Sequence, residues 1–81
     1  MKPGTLVRLA KWRADVDGGT APLWDNRIGS SAGRSVLWLN SSSLGIVLAT
    51  ADIPHELGQQ LLVLVGTTFG WQREGLFDEA G

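Results

Sequence analysis

Leu44-Gly45-Ile46-Val47-Leu48-Ala49-Thr50, Gln60-Leu61-Leu62-Val63-Leu64-Val65-Gly66 and Gly70-Trp71-Gln72-Arg73-Glu74 are short apolar runs punctuated by glycine. Runs of this length, bounded by turn residues, predict β-strands joined by tight turns. In the first, Leu44, Ile46 and Leu48 share one face. Gly45 predicts a bulge or a close approach of backbone. The second run scarcely alternates, which predicts a central strand covered on both faces. Thr67-Thr68-Phe69-Gly70 closes a hairpin onto the third, Trp71 to Glu74. Leu76 and Phe77 complete the sheet, and Asp78-Glu79-Ala80-Gly81 reads as a solvated tail.

Working outward, Thr5-Leu6-Val7-Arg8-Leu9 predicts a first strand with Thr5, Val7 and Leu9 on one face and Arg8 on the other. Pro3-Gly4 leads into it, since proline does not fit a central ladder. Residues 13–35 differ in texture. Asp17-Gly18-Gly19-Thr20 is a turn signal, and Ile28-Gly29-Ser30-Ser31-Ala32-Gly33 is a stretch of small residues. The whole segment reads as a long loop or irregular hairpin anchored by Trp24. Val36-Leu37-Trp38-Leu39 is a short strand with Trp38 expected in the core, and Asn40-Ser41-Ser42-Ser43 turns the chain. Asp52 to Gly58 is a turn, with one helical turn suggested by Pro54 at its start and Gly58 at its end.

Eighty-one residues predict one domain, and a chain of this size buries only ~60–65% of its unfolded surface. With no cysteine, neither a disulfide nor a thiolate metal site can staple it. Leu, Val, Ile and four tryptophans must carry the core, and oligomerisation is a further remedy for a small one. No apolar run is long enough to span a bilayer as a helix. Met1-Lys2-Pro3-Gly4 runs straight into a strand pattern, so no secretory leader is expected and a cytoplasmic setting is.

Net charge is −1, which provides no overall electrostatic footprint for nucleic acid. The distribution is uneven: residues 1–34 carry +3 and residues 35–81 carry −4. Either the two halves offset each other within one molecule, or subunits associate head to tail.

The run of Gly4-Thr5-Leu6-Val7, Gly45-Ile46-Val47-Leu48 and Gly70-Trp71 with Leu76 resembles the Src-homology-3-like (SH3-like) small barrels. Within them it is most similar to short forms encoded by tailed bacteriophages and marine cyanophages. Those share a Gly-Asp-Leu-Val opening, a Gly-Ile-Val-Leu strand and an ending in which Gly-Trp precedes Leu-Glu. Glycine followed by an aliphatic run also resembles the KOW element of ribosome- and transcription-associated barrels. The resemblance spans about half the chain. It departs from the pattern in the length of residues 13–35, in the added strand at 36–39 and in the Gly75-Leu76-Phe77 ending. It implies an all-β, SH3-like small barrel of five or six antiparallel strands with a long loop after the first. It further implies a non-catalytic accessory module of the host cytoplasm or virion that binds another protein or itself. The KOW likeness implies nucleic-acid or ribonucleoprotein binding as the alternative.

Little in the residue inventory suggests catalysis. Asp52, His55 and Glu56 superficially offer metal ligands, but His55 is the only histidine, and Pro54 and Gly58 mark a surface turn. The serines lack a plausible base and a nucleophile elbow. Residues 29–35 lack the Gly-Lys-Ser/Thr ending of a phosphate loop. No metal or cofactor is expected. The candidate contact residues are Trp12, Trp24, Arg27 and Trp71: in SH3-like barrels, aromatics beside the first long loop form the groove for extended, proline-rich segments. Packing is the competing role for each tryptophan. Arg8, Lys11, Arg13, Arg27 and Arg34 beside Trp12 and Trp24 would suit single strands by charge and stacking, diluted by Asp15, Asp17 and Asp25.

Overall fold

In the computed structural model, which describes residues 1–30 and 33–81, the chain forms seven strands: β1 (Leu6–Leu9), β2 (Ala21–Trp24), β3 (Ser35–Leu39), β4 (Leu44–Asp52), β5 (Gln59–Val65), β6 (Thr68–Arg73) and β7 (Phe77–Glu79). Ser31 and Ala32, which belong to the small-residue stretch, lie outside the described residues. A four-residue helix α1 (Lys11–Ala14) follows β1, and a 3-10 turn (Glu74–Leu76) precedes β7. All strands belong to one curled antiparallel sheet in the order β3-β2-β6-β5-β4-β1-β7. The all-β expectation holds, with two strands more than the apolar runs alone suggest.

Both additions come from segments read as loop or tail. Residues 13–35 contain β2, which pairs with β3 and meets β6 at Trp24–Trp71. Its hairpin is irregular, with a register shift between Leu23 and Trp24. Four residues with a proline inside them are too few and too atypical to read as a strand. Asp78 and Glu79 are not a free tail. With Phe77 they form β7 along the outer side of β1, where Phe77 is buried opposite Leu9 and Arg8 faces Asp78. The turn at 52–58 is not helical: one Glu56 N–H to Ile53 C=O bond forms, and His55 at φ 63° stops a helix from propagating.

β5 is central, as its composition suggests, and is joined to β6 by the two-residue turn Gly66-Thr67. The core lies on the concave side and consists of Val7, Leu23, Leu39, Val47, Leu61, Val63 and Phe77. On β4 the shared face of Leu44, Ile46 and Leu48 is the outer one. Gly45 and Val47 point inward, whereas Leu44 and Leu48 are exposed and Ile46 is half-buried. Tight curvature explains the choice. A Cβ on Gly45 would stand 2.5 Å from Val63 Cγ1, and one on Gly70 would stand 2.8 Å from both Leu23 Cβ and the Trp24 carbonyl oxygen. At these two positions the concave side has room only for glycine, while Leu23, Leu39, Leu61 and Phe77 fill the rest of it. Trp38 is likewise displaced from the core, at 57% exposure on the first strand of the sheet order.

Candidate functional site

Register places Trp24 of β2 directly opposite Trp71 of β6, and Trp71 opposite Leu62 of β5, all on the convex face. Beyond Trp24 the chain leaves the sheet and folds back over this row. The return is held at its base by two bonds between Asp25 and Arg34: the Asp25 N–H donates to the Arg34 carbonyl at 3.0 Å, and the Arg34 main-chain N–H donates to the Asp25 side-chain Oδ1 at 2.8 Å. Further along, Gln60 pins the loop. Its Oε1 accepts the Ile28 N–H at 2.7 Å, and its Nε2 donates to the Ile28 and Asp52 carbonyls, each at 3.1 Å. Gln60 is fully buried on the central strand. An amide there is stable only because both its ends are satisfied.

The result is a cleft of about 350 Å³ lined by Trp24, Asn26, Arg27, Ile28, Gly29, Gly33 and Arg73. The Arg27 guanidinium lies 5.1 Å from the centroid of the Trp71 ring, within the range of a cation–π contact. Trp71 is 9% exposed beneath it, and Trp24 is half-buried. Arg73 is oriented by Glu56, with Nη2 to Oε2 at 2.9 Å and Nε to Oε1 at 3.4 Å. The lining thus offers an aromatic wall and two guanidinium groups. Such groups hold a ligand by stacking and by charge-assisted hydrogen bonds.

Of the four nominated contact residues, the structure brings Trp24, Arg27 and Trp71 together. Trp12 stands apart on α1, 62% exposed, with its Nε1–H donating to the Gly75 carbonyl at 3.2 Å. The basic residues also divide. Arg8 and Lys11 border a separate cleft with Asp15, Asp78 and Glu79, and Arg13 donates to the Thr20 carbonyl, while Arg27 belongs to the tryptophan cleft. The two halves touch at a few points: Asp78 Oδ2 accepts the Lys11 main-chain N–H at 3.0 Å, and the Met1 amino group reaches Glu74 Oε2 at 2.7 Å. In the 52–58 turn, Glu56 serves Arg73, and among the described residues no group of three His, Asp or Glu side chains converges.

The sequence reading passed over Gln60, Ile28 and Arg73. Gln60 carried a signal: of the amide pair Gln59-Gln60 at the head of the most apolar run, it is the one that adjoins the aliphatic residues. Ile28 and Arg73 carried none, because the loop path alone places them.

The convex face continues beyond the cleft. Directly opposed residues Phe69, Leu64, Ile46 and Leu6 form a second row across β6, β5, β4 and β1. Leu6 is 44% and Phe69 is 58% exposed. Compared with protein-family models, with curated proteins and with solved structures, the chain matches none of them.

Proposed function

We propose that this chain is a non-catalytic protein-interaction module, built on an SH3-like barrel, that binds an extended segment of another protein in the tryptophan cleft. The observation that carries this reading is the Trp24–Trp71 row under Arg27, on the same face as the row Phe69, Leu64, Ile46 and Leu6, which is exposed at its two ends. A monomeric surface seldom displays a connected apolar stretch of this kind without a use for it. Tryptophan and arginine are the residues most enriched where binding energy concentrates. The aromatic wall suits an apolar or proline-rich segment, and Arg27 with Arg73 suits a carboxylate on it. The likeness of Gly4 to Val7 and Gly45 to Leu48 to phage-encoded barrels supports a phage accessory role, in the host cytoplasm or the virion. Nucleic-acid binding of the KOW type draws less support, because the cations divide between two clefts.

A displayed-peptide selection tests the reading. Recovered peptides should combine apolar and acidic residues. Trp24→Ala and Arg27→Glu should each weaken them at least ~10-fold, worth ~1.4 kcal/mol, with unfolding of the Trp24→Ala protein nearly unchanged. Peptides indifferent to both substitutions would sink the proposal. Collapse of the fold on Trp24→Ala would make Trp24 a packing residue. Steeply salt-dependent binding of labelled single-stranded RNA or DNA would favour the nucleic-acid alternative.

A further inference from the structure

Arg27 and Arg73 both line the tryptophan cleft, but their charges are met differently. The Arg27 guanidinium lies over the Trp71 ring, and among the described residues no carboxylate pairs with it. Its backbone is fixed: the Arg27 carbonyl accepts the Ser30 N–H at 3.2 Å, and Gln60 pins both the N–H and the carbonyl of Ile28 beside it. Arg73 is already paired. Glu56 meets it as a fork, with Nη2 to Oε2 at 2.9 Å and Nε to Oε1 at 3.4 Å. This is the arrangement by which an arginine recognises a carboxylate on any chain. Among the described residues it is the only ion pair between two side chains.

Glu56 reaches Arg73 from the turn at residues 52–58, and that turn abuts the cleft. A Cβ on Gly29 of the lining would stand 2.7 Å from Pro54 Cδ. Arg73 is held at its backbone, opposite Gln60 on β5 and with its main-chain N–H donating to Gln72 Oε1 at 2.8 Å. Only side chains have to turn for the pair to part. Both are 46% exposed, and a pair so open to water is weak. A carboxylate on a ligand can therefore replace Glu56 at Arg73 without disturbing the fold.

We infer, resting on the peptide-binding role proposed for the cleft, that Glu56 is a specificity-determining residue of it: its carboxylate competes with the ligand's own for Arg73. A first acidic group on the ligand meets Arg27, and no ion pair has to break. A second gains little at Arg73, because one carboxylate–arginine fork forms only as another is lost. The cleft thus takes apolar segments with few acidic residues and discriminates against strongly acidic ones. Were Glu56 instead to steer Arg73 toward the ligand, its removal would weaken acidic segments, so the two roles differ in sign.

One random displayed-peptide library, selected in parallel on the wild-type chain, Glu56→Gln and Asp15→Asn at ~0.15 M salt, tests it. Peptides recovered on Glu56→Gln should carry more aspartate and glutamate than those recovered on the wild type. They should bind Glu56→Gln about 5-fold more tightly than the wild type, the upper range for a half-exposed pair. Adding Arg73→Gln to Glu56→Gln should abolish that gain. Asp15→Asn removes the same charge from the separate cleft and should return the wild-type composition. Peptides lost on Trp24→Ala but equal in acid content on the wild type and Glu56→Gln overturn the inference and leave the peptide site standing. So do less acidic peptides on Glu56→Gln, which make Glu56 a residue that positions Arg73. An equal gain on Asp15→Asn also overturns it, by tracing the effect to net charge. Failure to recover any peptide that depends on Trp24 removes the peptide site and this inference together.

Discussion

The concave and convex faces of this sheet are both apolar, yet one is a core and the other a surface. On β4 and β5, neighbouring residues divide between them: Val47 and Val63 are buried inside, while Leu48 is exposed outside and Leu64 half-buried. Hydrophobicity does not separate the two sets, since leucine outranks valine in apolar area. Position in the curled sheet does: glycine stands inside where strands approach closely, at Gly45 and Gly70, and Leu23, Leu39, Leu61 and Phe77 fill the rest of the core. The sheet thereby leaves apolar side chains on its exterior, among them Leu48 and Phe69.

The sharpest way to break that comparison is to truncate one residue on each face. Leu61→Ala, at a fully buried inner position, should cost ~2–5 kcal/mol and leave the domain close to unfolded. Phe69→Ala, the larger truncation but on the convex face, should cost far less. Equal losses in urea denaturation would mean that both faces are core.

A second test adds volume instead of removing it. Gly70→Ala places a methyl group 2.8 Å from the Leu23 Cβ and the Trp24 carbonyl oxygen. Overpacking against backbone should cost ~1–3 kcal/mol. A neutral result in thermal unfolding would show that β2 can slide on β6, and that tight curvature does not set which side chains point inward.

Gln60 is buried on the convex side beneath the Ile28 loop, and its replacement should be intermediate. Gln60→Leu keeps the bulk but orphans the Ile28 N–H, for a loss of ~1–3 kcal/mol. Because the clamp also shapes the cleft, peptide affinity should fall with stability, and proteolysis within residues 25–34 should accelerate. Unchanged cleavage there would assign Gln60 to packing alone.

The smallest effects belong to the exterior. Leu44→Thr and Leu48→Thr should shift stability by no more than ~0.5 kcal/mol while raising solubility. Glu56→Gln should cost ~0–1 kcal/mol, less in high salt, since both partners of the Arg73 pair are 46% exposed. A large loss from any of these would mean that the convex face is covered within the monomer.

Much of the architecture was legible because it rests on local chemistry. Glycine-bounded aliphatic runs marked β4, β5 and β6, and the lack of alternation in residues 60–65 placed β5 centrally. Gly45 marked a close approach. Trp24, Arg27 and Trp71, three of the four nominated contact residues, lie together because β2 pairs with β6 at Trp24–Trp71 and the loop after β2 carries Arg27 over the Trp71 ring. Trp12 does not join them, since α1 turns it toward Gly75 instead. β2 and β7 were illegible as strands: Ala-Pro-Leu-Trp and Phe-Asp-Glu have no strand pattern of their own and become strands only by pairing with β3, β6 and β1.

By itself, the sequence determined an all-β chain, its turns and its central strand, since spacing and turn chemistry act over a few residues. Only the tertiary structure decided which apolar face became the interior, where Trp38 stands and what Gln60 holds. A strand with two apolar faces has no local preference between them. The choice falls to curvature and to long-range register, which a period of two residues does not encode.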